Sequence, residues 1–304
     1  TLRGIFSKVM NEYFGEGKMI EKIMKAVKSG NKKRGRNITV GAVVGMLLSC
    51  TSVMGADVTA KELEIKKDTN GNIEFKDESG DSFTPKSKND PYPDNNWNAG
   101  TNTYTNNSVI SGKTVVENPE ANVHEAVLKV TAPEINFVNN GVIENEITVK
   151  NNTGNKSIYG YGIYIDSNLD GTLTNNGIIT ATTPKYARGI YVAGLNGSLT
   201  NNGIITSDSN YISCGIKIDS DLTGTLTNNG IIVATSSSDS SSNSYGIVLK
   251  LNSKGTLTNN GIITVTSAST SPAYGIDIIS DSTGKLINNN GTIISTGSKY
   301  GHGI

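Results

Sequence analysis

A short block recurs along this chain and fixes the kind of fold it can adopt. Its clearest copies read GTLTNNGIITAT at 171–182, GSLTNNGIITSD at 197–208, GTLTNNGIIVAT at 224–235, GTLTNNGIITVT at 255–266 and GKLINNNGTIIST at 284–296. A weaker copy, FVNNGVIENE, stands at 137–146. The blocks alternate with a second motif: YGIYI (161–165), RGIYV (188–192), CGIKI (214–218), YGIVL (245–249) and YGIDI (274–278). Self-similarity at roughly 20–50 residues marks units too small to close a core alone, which gain stability by stacking on copies of themselves.

Within each unit the apolar residues have the period of strands. Ile163 and Ile165 flank Tyr164, Ile190 and Val192 flank Tyr191, and Ile216 and Ile218 flank Lys217. An alternation that tolerates Tyr or Lys between aliphatic residues puts one face inside and one outside. After each Asn-Asn-Gly the second residue is always Ile: Ile143, Ile179, Ile205, Ile232, Ile263, Ile293. About three short strands per unit, joined by Gly- and Asn-bearing turns, predict an all-β fold, a right-handed parallel β-helix spanning 108–304. The strand-like runs SVISGKTVV, HEAVLKV and EINFV open it.

Stacking gives the asparagines a role. Asn175 and Asn176, Asn201 and Asn202, Asn228 and Asn229, and Asn259 and Asn260 would form amide ladders from coil to coil, in a left-handed turn conformation before each glycine. Coil length varies in one place. From the Asn-Asn-Gly glycine to the next motif glycine the step is 12, 12, 16 and 14 residues. Insertions such as SSSDSSSNS (236–244) and SASTSPA (267–273) should therefore emerge at one corner, a common contact edge in repeat folds.

The N-terminal region follows other rules. Residues 1–37 hold ten Lys/Arg and three Asp/Glu, leaving 17 basic and 24 acidic residues, a net −7, for the remainder. That acidic body has no electrostatic footprint for nucleic acid. The basic stretch runs from Met19 into ITVGAVVGMLLSCTSVMGA, whose small-residue end suits cleavage after Gly55 or Ala56. Basic, apolar and small-residue segments in that order make 19–56 a signal peptide and signal helix. Two alternatives remain: an uncleaved apolar anchor, and acylation of Cys50 in the lipobox-like Leu47-Leu48-Ser49-Cys50. Residues 1–18 receive no function. With Cys50 removed, Cys214 would have no disulfide partner, which is compatible with export when stacking supplies stability. Residues 57–107 are polar and carry Pro85, Pro91 and Pro93, and are expected to be a linker or N-terminal cap without regular helix or strand, Trp97 docking on the first coil.

Chemistry is sparse. Asp166 and Asp219, each four residues past a motif glycine, are the best candidate carboxylates, and they have an ordinary reading as turn residues. His124 and His302 lack metal-ligand spacing, and no calcium nonapeptide, phosphate loop or nucleophile elbow occurs in the sequence. No catalytic residue, cofactor or metal is expected. Cys214 shares a column with Tyr161, Arg188, Tyr245 and Tyr274, where it should pack. Tyr164 and Tyr191 fall on adjacent coils as a possible contact surface, or as a simple cross-coil pair worth under about 1 kcal/mol.

The basic segment, the run ITVGAVVGMLLSCTSVMGA and the Asn-rich LTNNGIIT repeats together resemble the N-terminal part of a Gram-negative autotransporter passenger, over about 19–304. The resemblance implies a β-helical stalk exported through the secretion machinery, displayed at the cell surface or outer membrane, and acting as an adhesin or other virulence factor. Expected partners are proteins or glycans of a host or neighbouring cell; membrane contact is expected only through a C-terminal barrel beyond residue 304. The alternatives are a carbohydrate-active β-helix enzyme and a lipid-anchored structural surface protein.

Overall fold

The computed structural model describes residues 62–304 apart from 89, 93, 152–154, 238–242, 250–252, 268–270, 280–282 and 298–299. The expected signal segment, with Cys50 and the cleavage step, lies outside the described residues. Every regular element among them is a strand. The strands form three sheets of ten, eight and seven members, and beyond the N-terminal hairpins consecutive members of a sheet come from consecutive coils, the arrangement of a parallel β-solenoid. The repeats sit in register. Ile178–Thr183 pairs in parallel with Ile204–Ser209, which pairs with Ile231–Ser236 and then Ile262–Ser267.

That register builds columns of identical side chains. Ile179, Ile205 and Ile232 share the interior at 0% exposure. The eight-stranded sheet adds Leu173, Leu199, Leu226 and Leu257, and the ten-stranded sheet adds Ile163, Ile190, Ile216 and Ile247. A single coil buries only a handful of aliphatic side chains, each worth about 1.5–3 kcal/mol. Continuity of the columns from coil to coil is what makes the core.

The asparagines form two ladders of opposite polarity. In the buried one Asn139 donates to Asn175, Asn175 to Asn201, Asn201 to Asn228 and Asn228 to Asn259, each at 2.8 Å and each toward the C-terminal coil. In the exposed one Asn176 donates to Asn140, Asn202 to Asn176 and Asn229 to Asn202 at 2.9 Å, and Asn260 to Asn229 at 2.8 Å, all toward the N-terminal coil. The expected left-handed conformation is corrected. Positive φ occurs at Asn102, Asn118, Asn151, Asn155 and Asn290, and at none of the eight ladder residues. Glycine is needed after them for a different reason, close approach: a Cβ built on Gly203 would overlap the Gly177 carbonyl oxygen, and one on Gly230 that of Gly203.

The region 62–107 also departs from expectation. Leu63–Lys67 lies parallel to Val123–Val130 and antiparallel to Ile73–Lys76, which pairs with Ser82–Phe83. Asn96–Asn98 lies antiparallel to Thr103–Asn106, itself the first parallel member of the eight-stranded sheet. Pro85 and Pro91 lie in the connection between Ser82–Phe83 and Asn96–Asn98, so they separate the hairpins instead of preventing strands, and Pro93 lies outside the described residues. An aromatic cluster fills this end. Phe75 stands 5.0 Å from Trp97 and 5.2 Å from Tyr104, and Tyr104 stacks on Phe137 at 5.9 Å. Trp97 thus packs against the core, as its docking required.

The chain leaves the seven-stranded sheet and enters the ten-stranded sheet on either side of both insertions, while residues 238–242 and 268–270 within them, and so their expected emergence at a corner, lie outside the described residues. Ser236 is followed by a strand at Ser244–Leu249, and Ser267 by one at Ala273–Ile278.

Candidate contact surface

The outer face of the ten-stranded sheet gathers most of the tyrosines, and a phase break explains how. Alternation would send Tyr161 inward with Ile163. However, a Cβ on Gly162 would press on Ile179 Cγ2 in the core, so Gly162 and Ile163 both face inward. Tyr161 and Tyr164 then share the outer face. Gly189 and Gly215 make the same approach to Ile205 and Ile232 in the next coils. The break needs glycine, because two adjacent inward side chains do not fit.

Arg188 is the centre of the result. Its guanidinium carbon lies 5.1 Å from the Tyr159 ring centre, 5.4 Å from that of Tyr161 and 5.2 Å from that of Tyr191. Its Nη1 donates to the Tyr161 hydroxyl at 3.2 Å. Among the described residues no carboxylate lies within ion-pair distance of it. The cation is held by ring faces, an attraction of about 0.5–2 kcal/mol per contact. Around it His124 stacks on Tyr159 at 4.5 Å and Tyr159 on Tyr186 at 4.6 Å. Tyr164 stacks on Tyr191 at 5.1 Å, with 17° between planes. Stacked rings cover each other's faces, so this pair does not offer a flat platform.

The polar groups here are tuned by burial and by Arg188. Tyr161 is 2% exposed although it sits on the outer side, and burial pushes its hydroxyl up to about 12. Burial and then Arg188 lower the His124 pKa, favouring the neutral ring, whose Nδ1 lies 3.0 Å from the Tyr161 hydroxyl. Lys217 is lowered by burial and by Arg188, and it pairs with Asp219 at 2.7 Å. The Tyr191 hydroxyl donates to Asp219 at 3.1 Å. Cys214 is buried, with its thiol pushed up to about 12 by that burial, and Sγ faces the Ile216 carbonyl at 3.3 Å. It packs, and its thiolate is scarce at neutral pH.

The two candidate aspartates differ in their surroundings. Asp219 is engaged with Lys217 and Tyr191, while Asp166 falls where the register between Ile165 and Asn168 is irregular. Asp166 instead lines an open recess of about 500 Å³ between the N-terminal hairpin and the tyrosine face. Glu62, Glu64, Asp77, Glu78 and Glu125 line it too, with Lys129, His124, Tyr161 and Tyr164. Burial, then Glu125 and Glu78, raises the Glu62 pKa, and burial raises that of Glu125. Among the described residues no group of three or more His, Cys, Asp or Glu is placed to hold a metal ion.

Of the sequence-derived residues, the eight asparagines form the ladders and Tyr164 and Tyr191 form a stacked pair. Tyr159, Tyr186 and the central position of Arg188 do not follow from alternation across the motif, because the alternation breaks at glycine. The signal was there: Tyr159, Tyr161, Tyr164, Tyr186 and Tyr191 are five of only 12 tyrosines in the chain, packed into two successive coils.

Fold and surface together define a class, a three-faced parallel β-solenoid with an aromatic, cation-centred patch on one face. No protein-family model, curated protein or solved structure matches the chain.

Proposed function

We propose that this chain is the β-solenoid portion of an exported, surface-displayed passenger protein that works by contact, as an adhesin or related cell-surface interaction module. The Arg188-centred tyrosine face carries the reading. Tyr and Arg are the side chains that most often anchor protein interfaces, and here they are fixed by stacking before any partner arrives. The asparagine columns, in contrast, are engaged with one another. The basic and apolar N-terminal segment supports export.

Binding of the purified chain to intact host or bacterial cells and to immobilised glycans tests this. Arg188→Ala and Tyr186→Ala should each weaken binding by about tenfold or more, as at an interface hot spot. Equal binding by both variants and the parent would remove the tyrosine face as the contact surface. Protease accessibility on whole cells tests display, and mass spectrometry of the mature N-terminus distinguishes cleavage at Gly55 or Ala56 from an acylated Cys50.

A second reading, a carbohydrate-active enzyme, draws on the recess with its carboxyls of raised pKa, Glu62 and Glu125. Release of reducing ends from a polysaccharide, lost in Glu125→Gln, would favour it over adhesion.

A further inference from the structure

The chain contains eight Asn-Gly steps: Asn70-Gly71, Asn140-Gly141, Asn176-Gly177, Asn196-Gly197, Asn202-Gly203, Asn229-Gly230, Asn260-Gly261 and Asn290-Gly291. Asn-Gly is the dipeptide most open to spontaneous deamidation, because glycine leaves its own amide nitrogen unhindered. That nitrogen attacks the asparagine Cγ, forming a five-membered succinimide; the side-chain nitrogen leaves as ammonia, taking up the proton that the glycine nitrogen loses. Water then opens the ring at either carbonyl to give aspartate or isoaspartate. The attack requires a free glycine N–H and a side chain able to turn toward it.

In the regular coils the fold withholds both. The Gly177 N–H donates to the Asn139 carbonyl at 3.0 Å, and Gly203, Gly230 and Gly261 donate to Asn175, Asn201 and Asn228 at 2.9 Å. Gly141 donates to Asn106 at 3.2 Å and Gly197 to Leu169 at 2.8 Å. The amides of Asn176, Asn202, Asn229 and Asn260 are tied into the exposed ladder, and that of Asn196 donates to Asp170. Gly71 donates to Asp68 at 3.0 Å, but within an exposed hairpin turn and beside an Asn70 whose side chain makes no bond.

The last copy differs by one residue, NNNG in place of NNG. Asn288, itself exposed, extends the inner ladder by accepting from Asn259 at 2.8 Å, and the Asn289 N–H bonds to the Asn259 carbonyl as its counterparts do. Asn290 is the extra residue. It is exposed, has φ 59°, and its side chain makes no hydrogen bond; the Gly291 N–H makes none either. In every regular coil the protecting carbonyl belongs to the preceding coil, so the lost protection comes from the insertion and not from the position of this coil along the stack.

We propose that Asn290 is the site of spontaneous deamidation in this otherwise Asn-Gly-rich protein, and that the coil register holds the ladder steps as amides. Conversion places an aspartate or a backbone-lengthened isoaspartate at the turn between the eight- and seven-stranded sheets.

The test is peptide mapping by mass spectrometry after incubating the folded chain at mildly alkaline pH. Asn290 should convert more than about tenfold faster than Asn176, Asn202, Asn229 and Asn260, since those steps react only through local opening. Asn70 should come second. In denaturant the differences should collapse. Deleting Asn290 restores the NNG spacing and should make the resulting Asn289-Gly291 step as slow as the others. Similar rates at all steps in the folded chain, a ladder step ahead of Asn290, or a deletion variant that still converts quickly at Asn289 would each overturn the proposal.

Discussion

Asn201 shows what a ladder position demands of one side chain. It accepts from Asn175 and donates both to Asn228 and to the Ile231 carbonyl, all without exposure to solvent. Asn201→Ala leaves one N–H of the Asn175 amide and the Oδ1 of Asn228 buried without partners, at about 1–3 kcal/mol each. A loss of about 3 kcal/mol is expected, read as a lowered urea midpoint. Its neighbour Asn202 makes equivalent bonds in the exposed ladder, where water can replace them, so Asn202→Ala should cost under about 1 kcal/mol. Equal losses would contradict the division into buried and exposed columns. Gly203 gives a sharper test of contact between coils. Gly203→Ala drives a methyl into the Gly177 carbonyl and should cost about 3 kcal/mol or more. Gly71→Ala meets open space, and its penalty, about 1 kcal/mol, comes from φ +83° alone.

At the scale of strands and hairpins, the N-terminal hairpin is where charge and packing conflict. Glu62 and Glu125 face the same recess, and both carboxyls are raised from the ordinary value. A raised carboxyl pKa means that the folded state holds a proton the unfolded chain has already released. Stability therefore falls as pH rises from about 4.5, the ordinary glutamate value, through the folded pKa, and the penalty persists above it. Glu62→Gln should raise the urea midpoint at neutral pH and leave it unchanged near pH 4. An unchanged midpoint at both values would mean that solvent screens the pair. This hairpin was hidden in the sequence, because Pro85, Pro91 and Pro93 and the surrounding polar residues look the same whether they bound strands or replace them. The coils were legible, since Ile179, Ile205 and Ile232 recur at one offset and demand one environment. The tyrosine face was half legible. Tyr164 and Tyr191 follow the alternation, but the inward pair Gly162–Ile163 shifts the phase, and a period of two cannot express that shift.

Across the molecule, the antiparallel strands at the N-terminal end change how the stack meets its surroundings. Parallel ladders are templates for further strands, and edge protection is the usual remedy. Here Ser82–Phe83 and Asn96–Asn98 end two of the sheets, with Phe75 wedged among Phe83, Trp97 and Tyr104. Phe75→Ala should cost about 3–5 kcal/mol locally. It should also release the hairpins, seen as a red shift of Trp97, the chain's one tryptophan, and as self-association in light scattering. A monomeric variant with unshifted fluorescence would show that the hairpins hold without the aromatic wedge. The opposed direction of the two asparagine columns has a further result. A row of amides all pointing one way would act like a wire of aligned dipoles, gathering partial positive charge at one end and negative at the other as coils are added. Running a second row backwards beside it cancels that voltage coil by coil. The electrical penalty of adding a coil is therefore smaller than a single one-way row would impose.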